Sequence, residues 1–217
     1  MLDALKWDRA GLVVVVAQDV FTGEARMVAF ANREAVEATL RTMEAHFWSR
    51  SRQKLWRKGE SSGNVLKVHE VWADCDGDAL VYLVEPAGPT CHTGAESCFW
   101  RRLDASAPDG ERALPVLATL TETIRARADS DEGSSYTKSL LTKGAPKIGA
   151  KLREEADELA VALADEADER VSNEAADVLY HAMVGLQLRG LSLRDVTAVL
   201  AKRFGVSGHD EKASRQK

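Results

Sequence analysis

A two-domain protein is predicted, a mainly-β (α+β) domain followed by an all-α one, and three observations predict it. Of the 13 Phe, Trp and Tyr residues, ten precede residue 104, including all five Trp. The second half is instead rich in Ala, Leu and Glu. Aromatic and β-branched residues favour strands, whereas Ala, Leu and Glu favour helices. The stretch Asp104-Ala-Ser-Ala-Pro-Asp-Gly-Glu111 lies at the change and has linker composition. The boundaries so read are 1–104, a linker at 105–113 and 114–217, with a polar tail at 205–217 expected to be mobile.

The chain has 217 residues, 45% apolar and 29% charged, the ordinary balance of a globular protein and not of a disordered one. Its longest apolar runs, such as Leu12 to Ala17, are far shorter than the roughly 18 residues of a membrane span. The start MLDALKWDRAG lacks an apolar signal core, so no export is expected and the location expected is cytoplasmic. A net charge of −5, with both halves mildly acidic, argues against nucleic acid or an anionic membrane as partner. The cysteines, at 75, 91 and 98, are odd in number, which disfavours a disulfide framework and points to metal.

Leu12 to Ala17 and Ala25 to Ala31 are apolar runs around a turn at Thr22-Gly23, which suits a hairpin. Asn32 can cap a helix reaching about Met43, with Glu34 in its first turn. Strands are expected near 45–50, 54–57, 65–74, 78–85 and 97–102. The alternation at 65–72 is not cleanly polar and apolar, which suggests strands with contacts on both sides.

Residues 49–63 concentrate charge, five of the fifteen being basic. Arg50, Arg52, Lys58, Ser61 and Ser62, with a backbone opened at Gly59 and Gly63, offer what a phosphate needs. Trp56 is a candidate to stack on a base, and Glu60 a candidate catalytic acid. The alternative is a solvated hairpin with scattered charges. Asp74-Cys75-Asp76-Gly77-Asp78 places acids at alternate positions. In an extended chain they share one face, opposite Cys75, and oxygen-only donors suit Mg²⁺. An Asp76-Gly77 turn would spoil that alternation. Cys75, Cys91 and Cys98 suit zinc with a fourth position open to water, and the alternative is ordinary buried thiols. His92 is either a neighbour or general base at that metal or a structural imidazole, and His46 and His69 are read as structural.

SRSRxxLWxKGExSG, DCDxD and GPTCHTGxxSCF, over roughly residues 10–103, resemble phosphoribosyl-AMP cyclohydrolase of histidine biosynthesis. The resemblance implies a homodimer with composite sites, Mg²⁺ at Asp74, Asp76 and Asp78, and one zinc per subunit. Cys75 of one subunit would share that zinc with Cys91 and Cys98 of the other. The implied reaction is attack of water on C6 of the adenine ring, with zinc lowering the pKa of bound water to about 7. Ser61 stands where the family often has Thr and keeps the hydroxyl.

Helices are expected near 115–128, 136–143, 146–164, 171–189 and 192–204. Pro115 and Pro146 suit first turns, Gly144 and Gly190 suit stops, and Ser192 with Asp195 suits a capping box. On a helical wheel, Ile148, Leu152, Ala156, Leu159 and Leu163 form an apolar face, with Glu155 and Glu158 at its edge and Glu154 outward. Glu174, Asp177 and His181 share a stripe on the next helix. Two carboxylate pairs so placed suit Mg²⁺, against the commoner alternative of a solvated acidic surface.

EExxE followed by ExxD resembles the all-α nucleotide pyrophosphohydrolases. Ser135-Tyr136-Thr137, Leu140-Leu141, Lys151, Tyr180-His181 and GLSLRDV narrow this to phosphoribosyl-ATP pyrophosphohydrolase, over about residues 114–204. Arg153 replaces a frequent Gly there. The resemblance implies Mg²⁺ at Glu155, Glu158, Glu174 and Asp177, which also serve catalysis, and a triphosphate substrate contacted by Lys151. The halves would then act consecutively, on phosphoribosyl-ATP and on phosphoribosyl-AMP. The rival readings are a general nucleotide pyrophosphatase in the second half and a structural zinc staple in the first.

Overall fold

The computed structural model describes residues 2–103, 113–130 and 135–204, and the chain divides into two compact units after Pro115. Most of the expected linker and the whole tail at 205–217 lie outside the described residues.

The first unit is a six-stranded sheet ordered β4-β3-β2-β1-β6-β5. β1 (Leu12–Asp19) and β2 (Ala25–Asn32) form the expected hairpin. Its turn is held by the Asp19 carboxylate, which accepts from the N–H groups of Phe21 at 2.9 Å and Thr22 at 3.1 Å. Asn32 then caps α1 (Arg33–Thr42), its side chain accepting from Ala35 N–H at 2.9 Å. β3 (His46–Ser49), β4 (Lys54–Arg57), β5 (Leu66–Ala73) and β6 (Ala79–Pro86) complete the sheet. β6 pairs with β1 in parallel, and every other pairing is antiparallel.

Alternate residues of each strand share a face. Val13, Val15, Ala17, Leu80, Tyr82, Val84 and Phe47 form one core with Ala35 and Val36 of α1. The opposite face is also apolar. Trp72, Val81, Val16 and Val28 stand in register across four strands, with Trp72 60% exposed. That pattern answers the imperfect alternation of the sequence. Residues 97–102, expected as a strand, are not one. The segment is tied down instead by the Ser97 hydroxyl, donating to Ala25 C=O at 2.7 Å, and by Cys98 N–H, donating to Arg26 C=O at 2.9 Å.

The second unit is helical: α2 (Val116–Asp129), α3 (Tyr136–Asp165), α4 (Asp168–Leu188) and α5 (Leu193–Arg203). α3 combines the two helices expected at 136–143 and 146–164 across a break at Gly144, whose φ of 70° and ψ of −168° are not helical. Pro146 follows in the first turn after the break, where a missing N–H costs nothing. Ser192 and Asp195 make the expected capping box on α5. Ile124, Leu140, Ile148, Met183 and Val184 form the core. Among the described residues no helix is long and apolar enough to cross a membrane.

The apolar face expected on α3 is rotated. Ile148, Glu155 and Ala162 are buried with Leu152 and Leu159 half-buried, while Ala156 is exposed and Leu163 is 65% exposed. Steps of three replace steps of four at two places, so Glu155 moves from the edge of the face into it.

Leu140 is buried in the helical core and all five Trp lie in the first unit. Leu140→Ala should destabilise the helical unit by about 2–5 kcal/mol. In urea, the loss of helical circular dichroism should shift to lower concentration while the tryptophan fluorescence transition stays in place.

Candidate functional site

Three constellations emerge, two in the first unit. β5 passes to β6 through a turn at 74–78, so the extended reading of the three acids is corrected. Asp74 Oδ1 accepts from the N–H groups of Gly77 at 2.8 Å, Asp78 at 3.1 Å and Ala79 at 3.2 Å. Gly77 has φ +80°, and a Cβ there would lie 2.9 Å from Ala4 C=O. The turn, and not strand alternation, brings carboxylate oxygens of Asp74, Asp76 and Asp78 within 4.8 Å of one another. Desolvation opposes ionisation of Asp74, but the N–H groups of Ala79 and Gly77 outweigh it and hold the carboxyl below its ordinary value. The charges of Asp76 and Asp74 push Asp78 up. An oxygen-only, mutually repelling set of this kind fits a hard divalent cation.

The second constellation follows β6. Backbone bonds from Thr90 N–H to Glu96 C=O, 3.2 Å, and from Cys91 N–H to Ala95 C=O, 2.9 Å, fold residues 90–96 into a tight loop. The loop brings Cys91 and Cys98 near enough for each thiol to act on the other's ionisation. Thr93 donates its hydroxyl to Cys91 Sγ at 3.2 Å and, with its N–H, lowers the Cys91 pKa. Burial of the sulfur, then the neighbouring Cys91, raises the Cys98 thiol to about 11. Two adjacent sulfurs can both ionise only with a cation beside them, and soft donors fit zinc. His92 is exposed, its Nδ1 3.9 Å from Cys91 Sγ.

The basic loop reaches this pair through Lys58. Burial lowers the Lys58 pKa, and the charges of Cys98 and Cys91 oppose that shift. Lys58 Nζ donates to Asn64 C=O at 3.2 Å. Gly59 is required, because a Cβ there would lie 2.5 Å from Val65 N at a φ of +86°. Arg50 stacks its guanidinium 3.7 Å from the Phe30 ring centroid. Arg52, Glu60, Ser61, Ser62 and Gly63 are exposed around the turn. Trp56 is half-buried at the edge of the loop and packs on Phe47 at 5.2 Å.

Cys75 does not join the other thiols. It lies in the Asp turn, beside the pairing of Val14 with Ala79. Cys98 lies beside Arg26, where β1 ends against β2 at Gln18 and Ala25. Four residues of extended chain, roughly 13 Å, separate Val14 from Gln18. The three thiols therefore stand at opposite ends of the sheet within one chain.

The third constellation lies on α3 and α4. Carboxylate oxygens of Glu155, Glu158 and Glu174 lie within 4.8 Å of one another. Glu174 is 2% exposed and Glu155 7%. Arg170 spans the set, 2.7 Å from Glu174 and 3.5 Å from Glu158. Lys151 Nζ is 2.8 Å from both Glu154 and Glu155, and those bonds raise its pKa. Burial raises the Glu174 pKa against the pull of Arg170. Glu174 Oε2 is buried without a hydrogen-bond partner, an orphan oxygen that fits a cation ligand. Asp177 is exposed and outside the three-acid cluster, though its charge reaches Glu174. Buried His181 has Nδ1 at 2.9 Å from Asp177 C=O and Nε2 at 3.1 Å from the Tyr136 hydroxyl. The sequence reading missed Arg170. Its position four residues before Glu174 was the available signal.

Comparison with known proteins places both units. The family model for phosphoribosyl-AMP cyclohydrolase matches residues 27–100, and that for phosphoribosyl-ATP pyrophosphohydrolase matches residues 117–204. The chain is similar over its whole length to the histidine biosynthesis bifunctional protein HisIE of Wolinella succinogenes, at 42% identity and covering 98% of that protein. It is 45% identical, again over its whole length, to the chloroplastic bifunctional protein of Arabidopsis thaliana, covering 81% of it. The Thermus thermophilus protein is 45% identical, with 93% of each chain covered.

The Glu174 shift has a stability consequence. A raised carboxyl pKa means that the folded chain holds the proton more tightly than the unfolded one, so stability is lost as pH rises through the folded value. In chelator-treated protein, Glu174→Gln should therefore raise the unfolding midpoint of the helical unit at neutral pH. The gain should vanish at acid pH, below the ordinary Glu range. Added Mg²⁺ should stabilise the parent chain and not the variant, and thermal scans at two pH values check both.

Proposed function

The chain belongs to the family of histidine biosynthesis bifunctional proteins, and on that premise we propose that its two units carry out consecutive hydrolyses. The helical unit releases pyrophosphate from phosphoribosyl-ATP. The sheet unit opens the adenine ring of the resulting phosphoribosyl-AMP between C6 and N1. One observation carries the reading: each unit matches one of the two hydrolases and gathers, at that hydrolase's motif, donors whose mutual repulsion calls for a cation. The units are assigned to residues 1–104 and 114–217, joined by 105–113, in a cytoplasmic enzyme.

In the sheet unit, Cys91 and Cys98 of one protomer would hold zinc together with Cys75 of a second. The placement of Cys75 at the far end of the sheet supports the second chain, as does the apolar row through exposed Trp72, half-buried Val81 and Val16, and exposed Val28. The chemistry zinc supplies when bound by thiolates is acidification of water to a pKa of about 7. Exposed His92, beside Cys91, exchanges a proton with the ring nitrogen released as the C6–N1 bond opens. Arg50, Arg52, Ser61 and Ser62 hold the sugar phosphate by charge-assisted hydrogen bonds, with the turn shaped by Gly59 and Gly63. Lys58 brings its charge to the thiol end of the same loop. Glu60, which accepts from Arg57 N–H at 3.3 Å, holds the loop's start. Asp74, Asp76 and Asp78 would hold Mg²⁺.

In the helical unit, Glu155, Glu158 and Glu174, with Asp177 at the rim, would hold Mg²⁺, which neutralises charge on phosphate oxygens. Arg170 and Lys151 offset the repulsion among the acids in the free chain, and Lys151 turns to the triphosphate when it arrives. Glu158, the exposed member, is placed to orient the attacking water.

Two experiments test the proposal. Cys75→Ser and Cys98→Ser should each abolish ring opening and leave pyrophosphate release intact. Mixing the two under subunit exchange should restore part of the activity, because one of the two sites in a heterodimer is then intact, and no recovery after demonstrated exchange refutes the shared site. In the helical unit, Glu155→Gln and Asp177→Asn should each lower pyrophosphate release by about 100-fold or more with supplied phosphoribosyl-AMP still converted. Outward Glu154→Gln should have much less effect. A larger loss from Glu154→Gln than from Glu155→Gln reverses the assignment.

A further inference from the structure

An arginine stands in the middle of the thiol site's support. Arg26 on β2 is only 5% exposed, and Glu24, Thr90 and Ser97 beside it are buried as well. Its guanidinium donates to Glu24 at 2.6 Å, to Glu96 at 2.9 Å and to Thr90 Oγ1 at 3.3 Å. Its own C=O accepts from Cys98 N–H at 2.9 Å. Thr90 precedes Cys91, and Glu96 closes the loop just before Ser97 and Cys98. One residue thus fastens both stems of the loop that carries the two sulfurs. The planar fork of a guanidinium points its donors at these acceptors in fixed directions, whereas an ammonium is a rotating point charge and an apolar side chain has no donor.

We propose that Arg26 is a positioning residue that fixes Cys91 against Cys98, so that the sulfur pair is preorganised for a thiophilic divalent cation. Glu24 orients the guanidinium from below, and Glu96 is the arm that reaches the loop. The inference rests on the reading of Cys91 and Cys98 as zinc ligands. It goes beyond that reading in assigning the tightness of the site to Arg26 and Glu24, which lie outside every motif of the sequence.

The test is titration of the chelator-stripped full chain with Co²⁺, following the near-ultraviolet thiolate-to-cobalt absorption. Two variants are compared with the parent chain. Arg26→Leu/Glu24→Leu removes the buried pair together, so no lone charge is left inside. Glu96→Gln alters only the half-exposed arm and leaves the interior intact. The double variant should bind Co²⁺ about tenfold or more weakly. Glu96→Gln should show a smaller loss in the same direction. Pyrophosphate release by the helical unit should stay at the parent level in both, which reports an intact chain. A purely structural role would lower the unfolding midpoint of the sheet unit and leave the affinity of the folded protein unchanged. Parent-like Co²⁺ affinity in both variants overturns the proposal. Absence of the cobalt–thiolate band in the parent chain overturns the ligand reading and the positioning role together.

Discussion

Parallel pairing of β1 with β6 constrains everything that happens at the two ends of the sheet. Hairpins alone cannot make a parallel neighbour, so the chain must leave β2, cross over and return. The crossover here is residues 33–65, and it carries α1, the β3–β4 hairpin and the basic loop. Register then settles the rest. Val14 faces Ala79 and Asp19 faces Val84, so both strands end on the same side. The loop that leaves β6 accordingly meets the start of β2 at Arg26, while the Asp turn that enters β6 sits at the other end. A single pairing thus separates Cys75 from Cys91 and Cys98 within the chain.

The three donor clusters share one electrostatic problem and solve it with different local structure. Like charges within a few ångströms raise one another's cost of ionisation. In the Asp turn, three backbone N–H groups converge on one Asp74 oxygen, and the repulsion is displaced onto Asp78. In the thiol loop, Thr93 favours one sulfur and burial disfavours the other. Between α3 and α4, Arg170 and Lys151 act as internal cations, yet one oxygen of Glu174 stays buried and unpaired. That residual is what a bound divalent ion would relieve. The buried Arg26 network is the contrasting case, since its charges already answer one another and its effect is on position.

Much of this was legible in the amino-acid sequence, because it depends on contacts close along the chain. Aromatic and β-branched runs against Ala, Leu and Glu marked the two halves. Asn32, Gly144, Pro146 and the Ser192–Asp195 box marked helix ends through bonds within a few residues. Long motifs identified the family and named the acids and cysteines. What the sequence could not decide was decided by contacts distant along it. Residues 97–102 had strand composition but docked through scattered bonds, Ser97 and Cys98 to Ala25 and Arg26 some 70 positions away and Phe99 C=O to Ala113 N–H, without forming a ladder. Trp56 was drawn against Phe47. α4 chose which face of α3 to cover and buried Glu155 in place of Ala156. The separation of Cys75 from the other cysteines was decided by sheet register, and the bonding of Arg26 by the arrival of a loop 64 to 70 positions further along the chain. Local bonding is written residue by residue, whereas burial and charge pairing depend on which distant surface arrives, and only the folded chain specifies that.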